Sequence, residues 1–200
     1  MTTTILIACA ALAVLELDVV LIAQTMASRP LVVGAAFGAF MGKPEAGALF
    51  GVVFELLSLG DLPIGGNLTW SATIAAGTAT VLAGAGTSFA PCFFGGIAAG
   101  IVHSRLEATE RVHRALTGDA LAHRAEAGGR ALGRALGASI AAHAAMTFVV
   151  ACAIVALVVP IDRLWWARAP AVIQAGSFLA VSSAPWIGLS GVTLWCLRRV

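Results

Sequence analysis

Three acidic residues stand inside apolar runs, where a charge is costly to keep: Glu16, Asp18 and Glu55. Glu55 has nine uncharged residues before it, Ala46 to Phe54, and five after it, Leu56 to Gly60. An acid at a bilayer centre costs about 2.5–3.5 kcal/mol on insertion scales. A chain therefore keeps one there for a ligand, a partner or a wet cavity. Glu16 and Asp18 are embedded in the run 4–27 in the same way, and for them pairing with Arg29 is the purely structural alternative. Directly after Glu55 comes Leu59-Gly60-Asp61-Leu62-Pro63-Ile64-Gly65-Gly66-Asn67. Its glycines and proline break a helix, and unwound backbone at membrane depth is tolerated only where it is buried in protein or lines a cavity. Broken segments of this kind point to the substrate site of a transporter. Glu55 and Asp61 then offer acceptors, Asn67 an amide and Trp70 a flat face. That set suits a sugar, whose paired hydroxyls meet carboxylates and whose C–H face meets a ring.

Other chemistries fail on spacing. Gly38-Ala-Phe-Met-Gly42-Lys43 resembles a phosphate loop, but Phe37 stands where that motif needs glycine, and Pro44 where it needs Ser or Thr. No GxSxG, HExxH or EF-hand pattern occurs. His103, His113, His123 and His143 lack metal-ligand spacing, which leaves them surface or packing roles. Cys9, Cys92, Cys152 and Cys196 lie far apart in apolar stretches with no CxxC pair, so they read as inert buried thiols. Neither a metal nor another cofactor is expected, and no enzyme signature survives.

The elements that must position these residues follow from composition. The 200 residues are 60% hydrophobic and 11% charged, with a mean hydropathy of +0.95. Soluble domains carry about 25% charged residues, and a soluble domain of this size buries only about 70% of its unfolded surface. A single soluble core is excluded; an all-α, polytopic integral membrane protein of one domain, residues 1–200, remains. The net charge of +2 and the lack of a basic stripe argue against nucleic acid as a partner. The start Met-Thr-Thr-Thr has no basic n-region, so the first apolar segment is expected to stay as a membrane helix.

Apolar runs mark the segments. Residues 4–27 are long enough to span, whereas 30–42 and 46–60 are short and separated by Lys43-Pro44-Glu45. Residues 62–102 contain no Asp, Glu, Lys, Arg or His, room for two segments with a break around Gly84, Gly86 and Pro91. Further spans are expected at 135–160 and 169–197, with a kink or unwound point at Pro185. About six or seven membrane segments result, some re-entrant or broken. Residues 103–134 concentrate Arg105, Arg111, Arg114, Arg124, Arg130 and Arg134 among alanines and leucines, an amphipathic connector placed in the cytoplasm by the positive-inside rule. Gly34, Gly38 and Gly42, then Gly47 and Gly51, then Gly96 and Gly100 recur at four- or five-residue spacing. On helices such ridges let a neighbouring backbone approach closely.

One ordered string is more specific than any of these signals. Gln24-Thr25, then Ser28-Arg29-Pro30-Leu31-Val32-Val33-Gly34, the spaced glycines, Glu55-Leu56-Leu57-Ser58-Leu59-Gly60 and Pro63-Ile64-Gly65 resemble the membrane component IIC of the mannose/sorbose-type bacterial sugar phosphotransferase system. The resemblance covers roughly residues 16–80. It implies a permease subunit in the bacterial inner membrane that carries a mannose-type hexose or amino sugar. It further implies a IID membrane subunit, IIA and IIB phosphocarriers that perform the phosphoryl transfer, and a homo-oligomer, a trimer by family habit. The family's buried acid falls on Glu55, the first choice as sugar ligand, with Asp61, Asn67, Gln24 and Trp70 beside it. The chain departs from the family pattern at Lys43, where many relatives carry aspartate, and at Asn67-Leu68-Thr69-Trp70-Ser71. It is also shorter than usual members. A IIC-like interaction or regulatory protein without transport is the alternative, followed by the substrate-binding subunit of another importer.

Overall fold

The computed structural model describes residues 2–20, 26–59, 70–126 and 129–197, and these are helical with short turns. Seven α-helices follow in order among them: α1 Thr2–Val20, α2 Pro30–Phe40, α3 Pro44–Ser58, α4 Ala72–Gly84, α5 Phe89–Glu126, α6 Gly129–Leu164 and α7 Ala171–Leu197. A single 3-10 turn, Trp166–Arg168, joins α6 to α7. Three of the helices are long and apolar enough to cross a membrane, over Phe89–Gly118, Leu132–Arg168 and Ala171–Gly191. α2 and α4 are apolar but shorter, at 11 and 13 residues.

Local sequence sets where these helices start and stop. Proline occupies the first position of both α2 and α3, where its missing N–H costs nothing. Gly42 ends α2 in the left-handed region, at φ +69°, the conformation that glycine adopts at least cost. Around it Lys43 N–H donates to Gly38 O at 2.7 Å and Gly42 N–H to Ala39 O at 3.2 Å, the two bonds of a Schellman termination. Gly86, at φ +83°, ends α4 with the same pair of bonds, from Thr87 to Leu82 O and from Gly86 to Ala83 O. The break expected around Gly84, Gly86 and Pro91 is therefore a sealed helix end followed by a new helix, with Pro91 in its first turn. Pro185 lies inside α7, which continues through it as helix from Ala171 to Leu197.

α4 is the axis of the bundle. Every residue from Ala72 to Leu82 is buried, and α1, α2, α3, α5 and α6 all pack against it. Its side chains are mostly Ala, Gly and Thr, which brings neighbouring backbones close, the main source of helix association where lipid tails are as apolar as the helices. Gly96 and Gly100 of α5 face it: an added Cβ would lie 2.6 Å from Ala75 O at Gly96 and 2.5 Å from Ser71 O at Gly100. α2 and α3 form an antiparallel hairpin on the same principle. A Cβ on Gly34 would collide with Gly47 O and lie 2.7 Å from Gly51 Cα, and one on Gly38 would lie 2.9 Å from Gly47 Cα. Beside these ridges an aromatic column fills the core. Phe50 stacks on Phe89 at 4.9 Å, Phe54 on Phe93 at 5.3 Å, and Trp70 meets Phe54 edge-on at 5.8 Å.

Within the stretch 103–134, residues 103–126 belong to α5 and 129–134 to α6, each continuous with the apolar part of its helix. α7 packs chiefly on α3, where Gly188 sits against the Leu56 backbone, and leaves most of its apolar surface uncovered.

Candidate functional site

The glycine contact between α2 and α3 determines where Glu55 goes. Antiparallel packing lays the last turn of α3 beside the first turn of α2, so the Glu55 carboxylate reaches the residues that precede Pro30. Arg29 Nη1 donates to Glu55 Oε1 at 2.6 Å, and the Leu31 N–H donates to Oε2 at 3.3 Å. The second bond places a carboxylate on a helix N-terminus, which the helix dipole favours. The Glu55 side chain is 18% exposed and that of Arg29 50%. The pair sits at the edge of the bundle, within reach of a ligand.

The segment that carries Arg29 is pinned from several sides. Thr73 of α4 donates its hydroxyl to Ser28 O at 2.7 Å, Ser28 Oγ donates to Asp18 of α1 at 3.4 Å, and Arg29 N–H donates to Met26 O at 3.1 Å. Met26 itself takes φ +65°, uncommon for a residue other than glycine. Trp70 lies just ahead of α4, and its contact with Phe54, the neighbour of Glu55, puts the ring beside the same turn of α3. Of the residues expected to bind sugar, Glu55 pairs with Arg29 while Trp70 packs on its neighbour Phe54. Asp61, Asn67 and Gln24 lie outside the described residues.

Two features differ from the expectation drawn from sequence. The ion pair of Arg29 goes to Glu55, a partner not foreseen, where pairing with Glu16 or Asp18 was the structural alternative. Glu16 instead accepts from Ser71 Oγ at 3.0 Å, the residue that caps α4 by accepting from Ile74 N–H at 3.3 Å. The second is a set of buried polar residues that sequence reading passed over. His103 of α5 and His143 of α6 are both fully buried, with rings 5.6 Å apart. His103 Nε2 bonds Thr147 Oγ1 at 2.9 Å and His143 Nδ1 bonds Glu110 Oε2 at 2.9 Å. Forty positions apart, each histidine reads singly as a packing residue; only the antiparallel pairing of α5 and α6 makes them neighbours. Among the described residues, no group of three or more His, Cys, Asp or Glu side chains forms a metal site.

The described residues thus form an all-helical membrane protein with a paired carboxylate at the edge of a packed, glycine-lined hairpin. A solved structure described as "Structure of membrane protein" has this fold: it superposes with a TM-score of 0.79 at 20% identity, over 98% of this chain and 80% of the other. Comparison with curated protein sequences finds no match. A family profile described as "PTS system sorbose-specific IIC component" matches residues 1–198. The chain belongs to that family, the membrane-embedded, sugar-translocating IIC component of mannose/sorbose-type phosphotransferase systems.

Proposed function

We propose that Glu55 is the carboxylate that takes sugar hydroxyls, and that Arg29 holds it between substrates. The observation that carries this reading is the pair itself. A carboxylate embedded in an apolar helix keeps one oxygen on a half-exposed guanidinium and the other on the first turn of α2. Sugar hydroxyls can replace the Leu31 N–H and share the Arg29 guanidinium without leaving any charge unpaired. Trp70 supplies the apolar face for the ring, and Asp61, Asn67 and Gln24 complete the polar set.

The subunit carries a mannose-type hexose or amino sugar across the bacterial inner membrane. It works with a IID membrane subunit and with IIA and IIB proteins that perform the phosphoryl transfer, as a homo-oligomer, a trimer by resemblance to the family. About six or seven membrane segments make up its single domain, 1–200, with α2 and α3 the short, partial ones. The α5–α6 extension, 103–134, faces the cytoplasm, because its arginines obey the positive-inside rule.

Glu55→Gln tests the site. Amide for carboxylate preserves shape but removes the charge, and hydrogen bonds to charged groups contribute about 1.5–3 kcal/mol each. Sugar binding to the purified assembly is expected to weaken by at least about tenfold, the equivalent of 1.4 kcal/mol, while the protein elutes and unfolds as the wild type does. Unchanged sugar uptake in this variant would remove Glu55 from the site.

A further inference from the structure

The two histidines belong to a chain of polar groups that crosses the apolar bundle from α1 to α6, away from Arg29 and Glu55. At its inner end lies Glu16, 2% exposed, with Oε1 on the Ser71 hydroxyl and Oε2 without a partner among the described residues. His103 Nδ1 stands 3.9 Å from Glu16 Oε1 and likewise has no hydrogen-bond partner. The Thr147 hydroxyl donates to His143 O at 3.0 Å, so its lone pair receives the His103 Nε2 proton at 2.9 Å. That fixes the tautomer: the bare nitrogen of His103 is the one turned toward the Glu16 carboxyl. His143 donates from Nδ1 to Glu110 and leaves its own Nε2 unpartnered and buried. Glu110, with Arg114, lines an open cavity of about 830 Å³ between α5 and α6, whose wall is otherwise mostly apolar.

A count of charge shows what is missing. Among the described residues, the groups facing this chain are Glu107, Glu110, Arg111 and Arg114 from α5, His143 from α6 and Glu16 from α1, with the hydroxyl of Ser71, the cap of α4. Arg111 neutralises Glu107 at 2.6 Å, and Arg114 lies 3.4 Å from Glu110. Glu16 has no such cation among the described residues. Ionised beside a neutral imidazole, it would be an uncompensated charge in an apolar interior, which no fold keeps cheaply. A single proton, on the carboxyl or on Nδ1, balances the charge of the pair. We propose that Glu16 and His103 together form a buried proton-binding site.

The site is independent of whether Glu55 binds sugar. It lies where α1, α4, α5 and α6 meet, so gain or loss of its proton changes the cost of separating those helices.

The test is potentiometric and infrared titration of the full chain in lipid nanodiscs, with the proton itself as the probe, across about pH 5 to 10, the span of ordinary imidazole and thiol ionisation. Glu16→Gln keeps the acceptor for Ser71 and removes the acid; wild type is expected to bind one proton more per chain and to show a titrating carboxylic-acid band that the variant lacks. His103→Gln keeps a donor for Thr147 and removes Nδ1. It is expected to move the midpoint of that band by about one pH unit or more, since strongly interacting groups titrate as a pair. Equal proton counts in wild type and Glu16→Gln overturn the proposal. Should Glu16→Gln fail to fold, a band unmoved by His103→Gln overturns it alone.

Discussion

Glu55 and Glu16 are both carboxylates on apolar helices, yet their surroundings differ in kind. The Glu55 side chain is 18% exposed and meets a permanent cation, the Arg29 guanidinium, at 2.6 Å. The Glu16 side chain is 3% exposed and faces a residue that is charged only when protonated, His103, at 3.9 Å. At Glu55 the charge is settled by covalent structure, because arginine does not give up its proton in proteins. At Glu16 it depends on the surrounding solution. On the readings proposed above, the first exchanges partners at its rim and the second holds a proton deep inside. The difference begins in backbone packing, since Glu55 is placed by glycine contacts between α2 and α3, and Glu16 by the cap of α4.

Substitutions that strike one site and spare the other sharpen this contrast. The largest effect is expected from Gly47→Leu, whose side chain has only the α2 backbone to enter. Overpacking costs about 3 kcal/mol where neighbours cannot give way. The Arg29–Glu55 pair should be lost with the hairpin, read as a lower unfolding temperature and absent sugar binding, while the Glu16 titration persists. Thr147→Val is expected next, at about 1–3 kcal/mol, because the buried His103 Nε2–H loses its only acceptor. That variant should unfold earlier but bind sugar as before. Arg29→Lys should change stability least, by under about 1 kcal/mol, as half-exposed ion pairs do. A large loss of stability there would mean that the Glu55 pair is structural rather than poised for a ligand.

Much of this arrangement is legible in the sequence where the cause is local. Pro30, Gly42 and Pro44 punctuate the chain where α2 ends and α3 begins, and the spaced glycines announce a close backbone contact. The acid at position 55 stands out because nothing charged surrounds it. What could not be read is long-range. Arg29 could have answered any of three acids, and only the antiparallel α2–α3 contact selects Glu55. His103 and His143 carry no motif, since their meeting depends on the registration of two helices joined far away. The connector is legible from its change of composition, but not that α5 and α6 run into it from their apolar portions as continuous helices.

The unbroken course of α5 has a mechanical meaning. Its backbone rests on α4 at Gly96 and Gly100, near one end, and from Gly100 to Glu126 the helix rises about 39 Å at 1.5 Å per residue. Beyond the glycines α5 is paired with α6 through His103–Thr147 and Glu110–His143, so the two would tilt together as one arm with its fulcrum at the glycines. Tilting that arm by about 5° at the glycines would swing the far tip of α5 by about 3 Å, a displacement of one hydrogen-bond length. Any tilt of the helices around α4 would thereby be enlarged where α5 and α6 run furthest from Gly96 and Gly100.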